Sequence, residues 1–420
     1  MKAQAPVLLL FRGFRSLAIY VALIAAVLAW AANYSRAAGT TADYTVKLET
    51  AIEHNGGDFL WFHPRVAFVP RPGQVSGRVV MTLQKHLRIS DYYSGLHFMA
   101  REGVTGAWTG PLLPPQLDWR KQDDGVTVSV ADVTPGWHAA TSRLLAIGCQ
   151  VRYSPQGRQL EDINRAHQTV YAVFDPAREV WSPWRVLDLP ADPQFDFARN
   201  GCSQWLVKPD GRLLVPLYIG RGTREPFSTT VAECDFDGTT LSYRRHGTIL
   251  SLNVKRGLYE PSLATAGGRY FLTLRNDDRG YVSTSDDGLN YASPRPWLFD
   301  DGSELGSYNT QQHWLTHSGN LFLVYTRRGA NNDHIPRHRA PLFMARVDPA
   351  GLRVIRSTEK IIVPERGADL GNFGAARISE SESWITVSEG MFPKDAKARG
   401  ATGATFVARI LWATPNRTAD

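Results

Sequence analysis

Apolar residues in this 420-residue chain fall in short runs separated by turn residues, not in helical stripes. Six runs share one texture: Gly77–Lys85, Ser142–Arg152, Asp210–Gly220, Gly267–Arg275, Ser318–Arg327 and Glu382–Glu389. Most follow a Gly or Asp-Gly turn, and their starts lie roughly 50 to 70 residues apart, the period of propeller blades. Each has a second β-like segment downstream, beginning at Gly95, Val170, Thr229, Gly280, Pro341 and Ala404. Alternating Val, Leu, Phe and Tyr closed by Asp-Gly, Asp-Pro or Gly-Gly reads as antiparallel hairpins. Six such units predict an all-β, six-bladed β-propeller over 50–420, with the recurring run as the inner strand of each blade. Radial repetition leaves only short, protected sheet edges, so a β chain of this length needs no second domain. A pair of β-sandwiches would not require the same run to recur six times.

Composition agrees: 12 Trp, 15 Tyr, 18 Phe, 36 Gly and 25 Pro suit strands punctuated by turns. The formal charge of +7 invites a nucleic-acid reading until the charges are located. Residues 1–38 hold Lys2, Arg12, Arg15 and Arg36 with no acid, around the uncharged run Leu17–Ala32. A basic segment, an apolar segment and small residues at Ala29, Ala31, Ser35 and Ala37 form a signal-peptide pattern, with an uncleaved anchor as the alternative. Four of the seven net charges leave with such a leader, and what remains is an ordinary surface, not a polyanion-binding one. The expectation is a secreted or periplasmic monomer with no stable membrane insertion after cleavage and no nucleic-acid partner. Cys149, Cys202 and Cys234 are too few for a disulfide scaffold and lack a C-x-x-C metal spacing. One disulfide plus a free thiol, or three buried thiols, both fit.

Propeller sites form where loops converge around the axis. Polar residues at the run ends are therefore candidates: Gln84 to His86, Gln150 with Arg152, Arg275 to Asp278, Arg327 with Arg328, and Glu389. Trp61 to Arg65, Trp137 with His138, Tyr259 with Glu260, and Tyr308 to His313, including Gln312, lead into them. Arginines fork onto carboxylates and aromatic faces stack on sugar rings, so this set fits a glycan carrying an acidic sugar.

Thr284-Ser-Asp-Asp-Gly-Leu-Asn-Tyr291 resembles the Asp box of sialidase-type propellers, in which Asp286 and Gly288 would be turn residues. Tyr259-Glu-Pro-Ser through Arg275 is similar to the sialidase segment in which a Glu partners the tyrosine nucleophile and an arginine clamps the substrate carboxylate. By that resemblance Glu260 and Arg275 take these roles. Phe62-His-Pro-Arg-Val-Ala-Phe-Val-Pro70 resembles the Phe-Arg-Ile-Pro signature, with either His63 or Arg65 at the arginine's place. A third arginine would come from Arg327, Arg337 or Arg339, of which Arg339 matches the family best. Asp91 corresponds to the family's acid/base. The nucleophile is where the pattern departs: its expected place holds Phe373, which has no hydroxyl. Tyr308 has the right local texture in the preceding blade, and Tyr259 adjoins the Glu.

The resemblance implies a glycoside hydrolase acting from a chain end on an acidic sugar. Because the tyrosine is missing from its place, two other classes stay open. One is a lyase or rhamnosidase-like enzyme using a histidine at a uronic acid, for which His63, His86, His138 and His313 all fall in expected axis-facing loops. The other is a glycan-binding propeller without catalysis. No cofactor is called for, and since the histidines lack metal spacing, zinc would need ligands assembled from separate blades.

Overall fold

The computed structural model describes residues 43–71, 77–89, 91–160, 168–221 and 226–417. The expected leader lies outside them. Among the described residues no helix is long and apolar enough to cross a membrane.

Six antiparallel sheets succeed one another along the chain and form six blades. From the axis outward, blade 1 holds Leu60–Val69, Arg78–His86, His97–Glu102 and Thr109–Leu112. Blade 2 holds Thr127–His138, Arg143–Tyr153 and Thr169–Asp175, with Val180–Trp181 and Arg185–Val186 outside them and Arg120–Lys121 on the other edge of Thr127–His138. Blade 3 starts with a broken strand, Phe197–Arg199 then Leu206–Val207, followed by Leu213–Gly220, Ser228–Phe236 and Leu241–His246. Blade 4 holds Tyr259–Ala266, Arg269–Arg275, Tyr281–Ser285 and Arg295–Pro296; blade 5 holds His313–His317, Asn320–Tyr325, Leu342–Asp348 and two short outer strands. Blade 6 closes the ring. Its strands Gly374–Arg377, Glu382–Ser388 and Ala404–Trp412 are completed on the outside by Tyr44–Glu53, which pairs from Tyr44 opposite Trp412 to Glu53 opposite Ala404. The fold thus takes in residues before position 50, in an edge strand whose Lys47 and Glu49 dilute its apolar signal.

The six recurring runs are the second strands of the blades, not the innermost ones. Period 2 explains why they stand out. In Leu213–Gly220, Leu213, Val215, Leu217 and Ile219 pack against Leu145 and Ile147 of blade 2, while Leu214 packs against Leu263 and Leu272 of blade 4. A strand covered on both faces reads as a continuous apolar run. Innermost strands have one flank on the axis and carry polar residues there instead. The core therefore lies between blades.

In the turn after Tyr281–Ser285, Gly288 adopts φ +79°, as the turn requires. The capping carboxylate is Asp287, not Asp286: Asp287 accepts from the backbone N–H of Leu289 (2.8 Å) and Asn290 (2.7 Å), whereas the Asp286 side chain is exposed. All three cysteines are buried free thiols.

Candidate active site

The innermost strands and their lead-in segments share one irregularity at the same end of the barrel. Register shifts interrupt the strands at Phe62/Arg65, Ala131/Thr134 and Tyr259/Ser262. The residue inside each shift has a left-handed backbone: His63 at φ 54°, Asp132 at 59° and Glu260 at 45°. Blade 3 repeats the device at Cys202 (φ 55°), in the break of its innermost strand, and blade 5 at Asn309 (φ 52°), just ahead of His313–His317. A bulge re-aims a side chain, and a non-glycine residue in this region costs about 1–3 kcal/mol. Five successive blades hold such a residue at this end of the axis, where the candidate side chains gather.

Below the bulges the axis is closed by polar side chains. Gln204 Nε2 donates to the carbonyls of Trp314 (3.0 Å) and Ala375 (3.1 Å), and its Oε1 accepts from Trp314 N–H (2.7 Å), so one side chain joins blades 3, 5 and 6. His313 Nδ1 lies 2.9 Å from Ser262 Oγ, and its ring stands edge-on to Phe373. Burial, reinforced by Arg65, pushes the His313 pKa down to about 3, so the ring is neutral.

Two charged groups stand above this floor. On the side of blades 4 to 6, Arg275 Nη1 donates to both oxygens of Glu260 at 2.6 Å, and Nη2 donates to Asn309 Oδ1 at 2.9 Å. Its guanidinium lies 4.7 Å from the Tyr259 ring centre, and the Tyr259 hydroxyl is held by Arg256 and Asp277. Arg339 donates to the Asn309 carbonyl through Nε (3.2 Å) and Nη2 (2.6 Å), with Nη1 3.8 Å from Asp369. Burial raises the Asp369 carboxyl above its ordinary range despite Arg339.

On the side of blades 1 to 3, His63 Nε2 lies 2.9 Å from Asp132 Oδ1, and Cys202 Sγ donates to the same oxygen at 3.2 Å. Burial pushes the Asp132 carboxyl upward, but His63, Arg65 and Arg199 outweigh it and hold the group below the ordinary carboxylate range. A Cβ on Gly201 would stand 3.2 Å from both Asp132 Oδ2 and the Tyr218 hydroxyl, so these two groups share one small space. Burial raises Tyr218 well above its ordinary value, and Glu260 and Asp132 both add to the shift. The Tyr218 hydroxyl thus lies beside the Asp132 carboxylate.

Arg65 is 2% exposed, and no described residue accepts a hydrogen bond from its Nε, Nη1 or Nη2. Two glycines of blade 6 admit the arginines: a Cβ on Gly374 would lie 2.7 Å from Arg65 Cγ, and one on Gly371 would lie 2.3 Å from Arg339 Cδ. The side chains of Asp132 (20% exposed) and Glu260 (13%) are more exposed than those of Arg275 (7%) and Arg339 (9%). Two carboxylates therefore face solvent, with guanidiniums packed behind them.

Of the residues expected from sequence, His63, Arg65, Glu260, Arg275, Arg339 and His313 gather around the axis. Asp91 is exposed in the loop after Arg78–His86, where it accepts from Tyr93 (3.3 Å), whose ring lies 4.7 Å from that of His63 at a tilt of 50°. Five expectations are corrected. His138 ends a 12-residue strand at the opposite end of the propeller, bound to Thr141 Oγ1 and the Gly211 carbonyl at 2.8 Å each. Arg327 is paired with Glu359 in blade 5 (2.9 and 2.7 Å), and Arg152 donates to Gln122 (2.8 Å), so both side chains are engaged away from the axis. Gln312 is fully buried and bonded to Thr273, Ser307 and the Thr310 carbonyl, a packing role. The Tyr308 hydroxyl points to His338 Nδ1 (2.6 Å), away from Glu260.

Sequence reasoning missed Asp132, Arg199, Cys202, Tyr218 and Asp369, and held Asn309 only as part of the lead-in segment Tyr308 to His313. For Asp132 a signal existed: a lone carboxylate inside the apolar stretch Val128-Ser-Val-Ala-Asp-Val133.

No protein-family model matches the chain, and no curated protein sequence matches it. By structure it is similar to Trypanosoma rangeli sialidase (13% identity, 88% of this chain, TM-score 0.55), of whose length the chain spans only 60%. It is also similar to the NanB sialidase of Streptococcus pneumoniae (10% identity, 87% of this chain and 70% of that one, TM-score 0.56). A third likeness is to the endosialidase of phage phi92 (12% identity, 90% and 70%, TM-score 0.51). The chain has the six-bladed propeller fold of these sialidases.

Proposed function

We propose that this chain is an exported glycoside hydrolase that removes a carboxylate-bearing sugar from the end of a glycan. The observation that carries the reading is Arg65, a buried guanidinium without a described acceptor, on the same axis as Arg275 and Arg339 from two other blades. A charge sequestered in this way is costly unless an anion meets it, and a sugar carboxylate fits the guanidinium fork. Solved structures of this fold include the Trypanosoma rangeli sialidase with sialic acid and with the inhibitor DANA, which supports an acidic sugar here.

In this reading the arginines hold the carboxylate. Tyr218 attacks the anomeric carbon as Glu260 takes its phenolic proton, and Asp91 protonates the departing glycosidic oxygen; water then cleaves the sugar–tyrosine bond. Tyr218 replaces Tyr308 in the proposal because its hydroxyl shares the space beside Asp132 Oδ2, whereas that of Tyr308 is bonded to His338. Elimination at a uronic acid is the second reading, favoured by the 2.9 Å pairing of His63 with Asp132.

The test uses aryl glycosides of acidic sugars and their methyl esters. The hydrolase reading expects aryl alcohol release from the acid, little from the ester, no unsaturated product, and loss of release in Tyr218→Phe. An ultraviolet-absorbing unsaturated product that disappears in His63→Gln would establish elimination instead. Glycan retention with neither product would leave a binding propeller.

A further inference from the structure

The cluster of His63, Asp132 and Cys202 has chemistry that the hydrolase reading does not use. The three residues come from blades 1, 2 and 3, and their Nε2, carboxylate oxygen and Sγ atoms all lie within 4.8 Å of one another. We infer that they form a site for a borderline-soft divalent metal of the zinc class, assembled from separate blades, with a fourth position open toward the axial end. Imidazole, thiolate and carboxylate are zinc ligands, whereas calcium and magnesium take oxygen donors.

The spacing suits the inference. With zinc bonds of about 2.0–2.3 Å, a tetrahedral site sets neighbouring donor atoms about 3.3–3.8 Å apart. Here the His63–Asp132 contact is 2.9 Å and the Cys202–Asp132 contact is 3.2 Å, so a few tenths of an ångström of opening would admit an ion. Position is the second argument. All three residues occupy the left-handed backbone conformation that turns side chains into the axis, at φ 54°, 59° and 55°. Three unrelated donor types, each held in a costly conformation and each aimed at one point, are not required by blade packing.

The neighbourhood sets the expected strength. Asp132 and a Cys202 thiolate supply two negative charges to balance a dication, while Arg65 and Arg199 act on the same carboxylate and oppose it. No described residue accepts from or donates to His63 Nδ1, so the ring lacks the outer hydrogen bond that usually supports a metal-bound histidine, a loss of about 10- to 100-fold in affinity. Cys149 Sγ lies 4.0 Å from Asp132 Oδ2 and donates to the Ala131 carbonyl, which leaves it as a flanking thiol. The Asp132 side chain is 20% exposed, which gives the ion an entry path from solvent.

The test takes the tag-free full-length chain, strips it with a chelator, and titrates it with Zn²⁺ against a chromophoric competitor and separately with Co²⁺. The expected result is one equivalent bound per chain, with a thiolate-to-cobalt charge-transfer band and the intense visible bands of a tetrahedral ion. Cys202→Ser should abolish the charge-transfer band, and His63→Gln should weaken zinc at least tenfold. Cys234→Ser, in the apolar core between blades 2 and 3, should change neither. Absence of stoichiometric uptake by the unaltered chain, a cobalt complex without the charge-transfer band, or uptake indifferent to Cys202→Ser would each overturn the site. The cobalt spectrum of the unaltered chain decides the matter even if a variant fails to fold, and it does not depend on any glycosidase activity.

Discussion

Replacing Arg65 by methionine should make the sugar-free protein more stable while weakening capture of a carboxylated sugar. The guanidinium carries five N–H donors, and none meets an acceptor among the described residues. Leaving a buried polar group unsatisfied costs about 1–3 kcal/mol, more when it is charged. Methionine keeps most of the aliphatic stem, whose Cγ packs against the Gly374 backbone. The attraction between Arg65 and Asp132 is lost in the exchange, which reduces the gain. The balance is a stabilisation of about 1–3 kcal/mol, set by the unsatisfied donors that the exchange removes. Hydrogen bonds to a charged group contribute about 1.5–3 kcal/mol, so affinity for the acid should fall about 10- to 150-fold.

The assay is calorimetric unfolding of both proteins with and without an acidic sugar, together with titration by the acid and by its carboxyl-reduced analogue. Arg65→Met should melt higher without sugar, gain less from the acid, and bind the reduced analogue as the unaltered protein does. A variant that melts lower and binds the acid as before would make Arg65 a structural cation. The acidic-sugar reading would then lose its principal support.

Glu260→Gln should destabilise the fold by about 3 kcal/mol in denaturant titrations, the low end for breaking a buried pair, because the Glu260 side chain is partly exposed; a loss below about 0.5 kcal/mol would mean that Asn309 and Tyr259 hold Arg275 unaided. His313 has a folded pKa of about 3 against an ordinary 6.5, so between those values the unfolded chain binds a proton that the native one refuses, and stability falls with falling pH. The fall should reach about 2 kcal/mol at pH 5, and His313→Gln should flatten this limb in pH-resolved melts; an unchanged slope would assign it to another group. Tyr218→Phe should cut turnover about 100-fold or more with little change in melting temperature, whereas Tyr308→Phe, which removes only the bond to His338, should stay within about tenfold; the reverse order would restore Tyr308 as the nucleophile. His138→Gln should leave turnover unchanged, since it lies at the far end of the barrel, and a large loss of turnover in a folded variant would contradict that placement.

The blades were legible because burial on both faces leaves a compositional trace, as in Leu213–Gly220 with alternate side chains serving two interblade cores. The same logic hid the innermost strands. Phe197–Arg199 and Leu206–Val207 are short and broken, and the strands that face the axis mix polar and apolar residues without a period. Arg65, Arg275, Arg339 and Glu260 could be found because a family resemblance marks their neighbourhoods, not because periodicity does. Arg152, Arg327 and Gln312 look equally suitable in sequence, and what separates them is the partner each side chain meets away from the axis.

The direction of the axial side chains is set at single residues. At His63, Asp132, Cys202, Glu260 and Asn309 one backbone angle turns positive and points the side chain into the axis. Glycine would have adopted the conformation with less strain and would have announced it in the sequence. A chain that places histidine, aspartate, cysteine, glutamate and asparagine there accepts strain at five points for what those side chains do. The propeller is consequently most regular in its second strands, where packing alone selects residues, and least regular at the end of the axis where the side chains of the candidate site gather.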